Sequence, residues 1–322
     1  MVVNEQDRYW IWLNSIGGIG PATFYELIAH YEDARSVWDA AKSGSKFIDG
    51  LPHLRKDAIY KNASETYIDD LFEKCAVNDV TPITMLDEKY PIRLKEIRNA
   101  PPTIYVKGNI EGIGENTIGI VGTRNCSHKG FELTKEIAYN LALSGVRIIS
   151  GMARGIDSAA HIGAMKANMQ NFAVLGCGVD VIYPKENEKV YHEILENGAI
   201  ISEYLPGVPP LASNFPSRNR IISGLSKAIL VVESSFKSGA NITTKYATQQ
   251  GKDVMAVPGP PYDIKSQLPN HIIKNGGLIV TEADDILIEY NWPKSSENSK
   301  NNKKMNIKLD FFEEQIYSHI LQ

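Results

Sequence analysis

Long apolar runs are missing from this sequence: segments such as "AILVV" and "FAVLG" fall far short of the roughly 20 residues that a membrane-spanning helix needs. No transmembrane helix is expected. The opening "MVVNEQDRYW" has no basic stretch followed by an apolar segment and a small-residue cleavage site, which excludes a secretion signal there and predicts a cytoplasmic location. Cysteine is scarce. Cys75, Cys126 and Cys177 are odd in number and lack CxxC spacing, which argues against a disulfide framework and a zinc site. There is no excess of positive charge, since the formal net charge is −4, so any anion site must be assembled locally. Several catalytic and cofactor motifs are also absent. No GxGxxG follows the first α/β strand, no GxxxxGK[ST] occurs, and there is neither a GxSxG elbow nor an HExxH pair. These absences weigh against NAD, a P-loop nucleotide, a serine hydrolase and a zinc protease. His128, His161 and His192 are too irregularly spaced for a metal site and read as structural histidines.

What is present divides into segments. Residues 1–78 carry apolar and aromatic residues at three- and four-residue spacing in "DRYWIWLNSI", "ATFYELIAHY" and "YIDDLFEKCAV", which predicts a small all-helical domain. Within it, "SIGGIGPATFYELI" sets Gly17, Gly18 and Gly20 before Pro21, the favoured position for proline in a first helical turn. This is either a helix-hairpin-helix turn offering backbone amides to a phosphate or a glycine-rich turn between packed helices. No Lys or Arg flanks it. From residue 79 to 290, β-branched runs alternate with amphipathic stretches: "TIGIV", "VRIIS", "NFAVLG", "GAIIS", "AILVV", "DVMAV" and "GLIV" predict strands. Such alternation predicts an α/β fold, a Rossmann-like, doubly wound, mostly parallel sheet buried on both faces. Residues 291–308 are polar and lysine-rich, a flexible linker, and 309–322 have helical spacing, the start of a C-terminal helix or incomplete winged helix.

Ligands of an open parallel sheet bind beyond the carboxyl ends of its strands. Those ends read "GTRN" (122–125), "SGMARGID" (150–157), "GCGVD" (176–180), "ESSFKSGAN" (233–241) and "VPGPP" (257–261), nearly all rich in Gly or Ser. Small residues let backbone amides approach an anion. Arg124, Arg154, Arg218, Arg220 and Lys237 supply charge in or beside these loops. Arg124 suits a phosphate clamp better than a salt bridge, because "NCSHKG" after it offers polar groups and no acid. Asp157 reads as the N-cap of a helix beginning at Ser158, and Gly151 and Gly155 as turn-shaping residues. Glu203 and Glu233 read as groups that orient Arg or Ser side chains in preference to catalytic carboxylates. In "NFPSRNRIISGLS" a loop stiffened by Pro216 presents Phe215, Arg218, Asn219 and Arg220; Phe215 is either core or a platform for stacking a nucleobase. The residues alone leave DNA and a small phosphorylated ligand both open.

Seven blocks in order, "GTRNCSHKG", "SGMARGIDSAAH", "VLGCGVDVIYPKEN", "ISEYLPG", "FPSRNRIISGLS", "SGANITTKYATQQGKDVMAVPG" and "NHIIKNGG", resemble the DNA-processing protein A (DprA/Smf) family of bacteria. The match runs from about residue 80 to 290, and the helical N-terminal part, of the SAM or helix-hairpin-helix kind, also suits the family. The resemblance implies a non-catalytic protein without cofactor or metal that binds single-stranded DNA, dimerises through its Rossmann-like domain, and loads the RecA recombinase during natural transformation. It places the DNA contacts at Gly122, Thr123 and Arg124; at Ser150, Gly151, Ala153, Arg154 and Gly155; at Phe215, Arg218, Asn219 and Arg220; and at Lys237, Ser238, Gly239 and Asn241. Ile272 and Ile273 are the apolar candidates for the dimer interface, and Leu278 reads as core. Two blocks depart from the family pattern: "SGANIT" stands for SG(S/T)LIT, and in "SQLPN" Leu268 replaces a glycine, which bears on the loop near Asn270. The alternatives are a nucleoside-monophosphate hydrolase on a related scaffold, whose PGGxGTxxE block is missing, and a sensor of a nucleotide-like molecule.

Overall fold

The computed structural model describes residues 5–44, 51–114 and 116–294. The residue ranges 295–308 and 309–322, expected as linker and terminal helix, lie outside the described residues. Helices α1 (Glu5–Ser15), α2 (Pro21–Tyr31), α3 (Ala34–Lys42), α4 (His53–Asn62) and α5 (Glu65–Val77) come first. They close around Trp12, Leu13, Phe24, Leu27, Val37, Ile59 and Ile68, all essentially inaccessible to solvent. Pro21 occupies the first turn of α2, as its missing N–H allows. Helices α3 and α4 add to the three expected. The Asp33 side chain caps α3 by accepting from Ser36 N at 2.7 Å, and Ser64 caps α5.

Among the described residues nine strands form one sheet: β1 (Thr81–Thr84), β2 (Thr103–Gly108), β3 (Thr117–Val121), β4 (Arg147–Ser150), β5 (Asn171–Val174), β6 (Gly198–Ser202), β7 (Ala228–Val231), β8 (Asp253–Ala256) and β9 (Leu278–Ile279). Their order is β1-β2-β6-β5-β4-β3-β7-β8-β9. The expected α/β, mostly parallel sheet is present, with an unexpected edge: β1 and β2 pair antiparallel with each other, and β2 antiparallel with β6. From β3 the chain steps outward through β4, β5 and β6, then returns to place β7 on the other side of β3. The crevice between β3 and β7 is therefore the topological switch point.

The remaining helices are α6 (Ile92–Lys95), α7 (His128–Leu143), α8 (Ile156–Lys166), α9 (Glu188–Glu196), α10 (Asn214–Leu225), α11 (Gly239–Gln249), α12 (Gln267–Lys274) and α13 (Ala283–Glu289). Strand periodicity sorts the core between the two faces. Leu230 joins Ile118, Ile120, Ile148 and residues of α7, α8 and α13, whereas Ile229 and Val231 join Ile149, Phe172 and residues of α10, α11 and α12. The helical segment is fastened to the sheet by a buried bond, Trp10 Nε1 donating to Pro102 O at 2.7 Å, and a partly buried one, Tyr25 Oη donating to Ala100 O at 3.0 Å. Among the described residues no helix is long and apolar enough to cross a membrane.

Three expectations change here. The stretch "NFPSRNR" is the start of α10, not a loop: Pro216 sits in the first turn, where backbone amides have no intrahelical partner, so the missing N–H costs the helix nothing. Asp157 lies inside α8, which begins at Ile156, and Gly155 holds the cap position with φ of 77°. Ile272 is buried within this single chain, beside Leu268 and Ile229, and is a core residue and not a surface for a partner; Ile273 is half-buried against the same cluster. Leu268, the departure from the family pattern, is itself core, while Asn270 bridges both backbone groups of Gly259.

Candidate functional site

Two turns build the floor of the crevice at the switch point. After β3 the chain passes through Gly122, Thr123 and Arg124, with Thr123 N donating to Glu233 O beyond β7 at 2.6 Å. After β4 it turns at Gly151 to Gly155. A side chain at Gly155 would put its Cβ 2.4 Å from Thr123 O, so only glycine permits the two turns to touch. The crevice they open, about 610 Å³, is lined by Gly122, Thr123, Arg124, Ala153 and Asp157, by Phe215, Arg218 and Asn219 from α10, and by Lys237, Ser238 and Gly239 at the start of α11. Ser238 caps α11, accepting from Ala240 N at 3.4 Å, which directs the positive end of that helix dipole at the crevice.

Helix geometry decides which α10 side chains arrive. Residues three apart share a face, so Phe215 and Arg218 point into the crevice together. Residues two apart are separated by about 200°, so Arg220 cannot join Arg218 there. Phe215 is half-buried and forms the hub of the site. Its ring lies 5.4 Å from that of Tyr183, with the Arg124 guanidinium 5.7 Å and the Arg218 guanidinium 5.8 Å from its centroid. Arg124 is exposed. Arg218 is buried, bonding Gly151 O at 2.8 Å, Val174 O and the Asn219 side chain. Burial draws its guanidinium down to about 10, still charged at neutral pH. Asp157 accepts from Ala153 N at 3.4 Å, and its burial pushes the carboxyl up to about 6 against the opposing pull of Arg218 and Arg124. Behind Phe215 a notch of about 20 Å³ reaches Cys177 and Leu175, room for a water and not for a nucleotide.

Several expected residues lie elsewhere. Ser150 is fully buried and donates to Ile120 O at 2.6 Å, so its hydroxyl is committed to the sheet. Arg220 pairs with Glu203 and lines a different cleft. Asn241 donates to Phe236 O at 2.8 Å, whereas Arg154, exposed and 3.6 Å from Glu186, stays at the site and lines the notch behind Phe215. The two glutamates do orient neighbours: Glu233 accepts from Ser127 N at 2.7 Å and Ser127 Oγ at 2.5 Å, while Glu203 holds Arg220. His161 is buried, with Nδ1 2.7 Å from Asn171 Oδ1, and burial lowers it to about 4. Tyr183 was not singled out from the sequence, although it stands in "VIYPKEN", one of the seven blocks. Among the described residues no three His, Cys, Asp or Glu side chains are grouped so as to hold a metal ion.

Fold and site together define a Rossmann-like protein with a cationic, aromatic-centred crevice at its switch point. Residues 81–291 match the DNA recombination-mediator protein A family, and the chain belongs to that family. It is 34% identical over 290 residues to protein Smf of Synechocystis, covering 89% of this chain and 73% of the relative. Over 223 residues it is 38% identical to the DNA processing protein DprA of Streptococcus pneumoniae, 69% of this chain and 79% of that one. The crystal structure of DprA from Streptococcus pneumoniae superposes with a TM-score of 0.77 at 30% identity, over 90% of this chain and 99% of the other. DNA processing protein A of Helicobacter pylori, described by its single-stranded DNA binding mode, matches with a TM-score of 0.60 at 25% identity, over 66% of this chain and 97% of that one.

Proposed function

We propose that this chain binds single-stranded DNA in the crevice between β3 and β7, shields it, and passes it to the RecA recombinase during DNA uptake in the cytoplasm, acting by binding and not by catalysis. The observation that carries this reading is Phe215, held at the crevice against Tyr183 and near two guanidinium groups. Single-strand binders combine such a stacking surface with cations that follow the backbone. Arg124 and Lys237 are exposed and free to meet phosphates, Arg218 fixes the floor, and the amides at the start of α11 add a neutral anion contact. Family membership and the single-strand binding of the Helicobacter pylori relative support the choice of ligand.

The homodimer implied by the family is proposed to form at the β8–β9 end of the sheet, where Tyr262, Ile264 and Ile279 expose apolar side chains, with half-buried Ile273 beside them. The test of DNA binding is fluorescence anisotropy with a labelled single strand, a blunt duplex and a free-nucleotide competitor at one salt concentration. The single strand should bind tightest, because duplex bases are already stacked and hidden. Equal affinity for duplex and single strand overturns the proposal.

A further inference from the structure

The other face of α10 borders a second cleft of about 860 Å³, between the helical segment and the sheet, that the DNA crevice does not use. The start of α2 opens into it. Gly20 caps that helix without a side-chain bond, Pro21 has no N–H to give, and the first helical bond is Phe24 N to Gly20 O at 2.9 Å. The amides of Ala22 and Thr23 precede that bond, so the helix presents its positive end to the cleft. In sequence this glycine turn has no basic neighbours. Folding supplies them: Arg55 of α4 lies against Gly18 and donates to Thr23 Oγ1 at 2.7 Å, and Arg98 arrives on the loop before β2.

An independent feature points to an occupant. Arg220 is only 8% exposed, gives Nη2 to Glu203, and leaves Nη1 buried with no partner. Glu203 Oε1 and Gln250 Oε1, on the same cleft, are likewise buried and unpartnered. Buried polar groups are seldom left in that condition, and an unmade bond to a charged group is costly. Three arginines face one glutamate, which Arg220 already neutralises, so the cleft is cationic. Tyr204 and Tyr246 add aromatic surface to its wall.

We propose that this cleft is a second nucleotide site: a phosphate at the α2 N-terminus with Arg55 and Arg98, and hydrogen-bonding edges of the nucleoside at Arg220, Gln250 and Glu203. The nucleotide is either one unit of a DNA strand or a free monophosphate, and only the strand version rests on the DNA reading of the first crevice. Two probes are titrated into the full chain and its Arg55→Ala/Arg98→Ala variant: deoxyadenosine monophosphate by calorimetry, and a labelled single strand long enough to span both clefts by anisotropy. The variant should weaken at least one probe about tenfold. Loss confined to the long strand, with a salt slope lower by about two counterions, identifies DNA; loss confined to the monophosphate identifies a free nucleotide. An Arg98→Glu variant, changed at an exposed position, repeats the measurement should the double variant melt early. Unaltered affinity for both probes in a folded variant overturns the second site. Arg124→Ala runs in parallel: if it alone fails to weaken DNA, the first crevice is wrong and the second is judged on the monophosphate.

Discussion

Replacing Phe215 with alanine separates a stacking platform from a structural ring. The half-buried ring gives up about 1 kcal/mol of burial, half the value for a fully buried phenylalanine. Its tilted contact with the Tyr183 ring and its two guanidinium neighbours contribute roughly another 1 kcal/mol, because these terms overlap with burial. The expected loss is about 2 kcal/mol of stability, which in a chain of this size lowers Tm by about 3 °C. A fully buried phenylalanine would cost about 3–5 kcal/mol. Binding should respond separately. Loss of one stacked base removes roughly 1–3 kcal/mol, a 5- to 150-fold weakening, while the number of released counterions stays the same. Anisotropy titrations of Phe215→Ala and Phe215→Leu across a salt series, with thermal melts alongside, provide the assay. Leucine restores packing without a π face, so it should recover about half of the Tm loss and none of the affinity. Undiminished affinity in a folded Phe215→Ala protein, or full recovery of affinity by leucine, refutes the stacking role.

Arg124→Ala should weaken every single strand, flatten the salt dependence by about one counterion, and lower Tm only slightly, because the exposed side chain gives up only its contact with the Phe215 ring. Arg220→Ala should do the reverse for a short oligonucleotide that fills only the first crevice: unchanged affinity but up to about 3–5 kcal/mol less stability by urea titration, since Glu203 is left buried without its cation. Asp157 has a folded-state pKa of about 6, above the unfolded value of about 3.9, so the folded protein holds that proton more tightly and stability from this group falls as pH rises between them. Asp157→Asn should flatten that window and raise the urea midpoint at neutral pH; an unaltered pH profile would remove Asp157 from the explanation. Ile272→Glu should unfold the chain by placing a charge in the core, whereas Ile264→Glu should yield a folded monomer by light scattering, and a dimer that survives it moves the interface elsewhere.

The parallel strands were legible because residues such as those of "TIGIV" and "AILVV" are apolar without alternation, the pattern of strands covered on both faces. Strands β1 and β2 were not. "TPIT" is four residues long with a proline, acceptable only at an edge, and its partner follows after about twenty residues of turn and short helix. Helix α3 carried a readable stripe of Ala34, Val37, Trp38 and Ala41, while α4 buries only Ile59 and gave little to see. At the site, strand ends pointed to the loops that bring Arg124 and Lys237 to the crevice, because topology alone dictates where such loops converge. Proline was the misleading signal in "FPSRNR": taken as a loop marker, it put Arg218 and Arg220 on one wall, and a first-turn proline in a helix sends them to opposite sides.

That helix also limits which changes of length the segment can absorb. Each residue added to or removed from a helix rotates everything beyond it by about 100°. One residue inserted between Phe215 and Arg218 would swing the arginine away from Gly151 O and Val174 O and break its alignment with the ring, and the same turn would pull Arg220 off Glu203. A surface loop takes up such an insertion by bulging outward. Exposed Pro216 and half-buried Ser217 should therefore accept many single substitutions, yet residues 214–220 should reject any insertion or deletion, a contrast that a library of one-residue indels set beside a substitution library would measure directly.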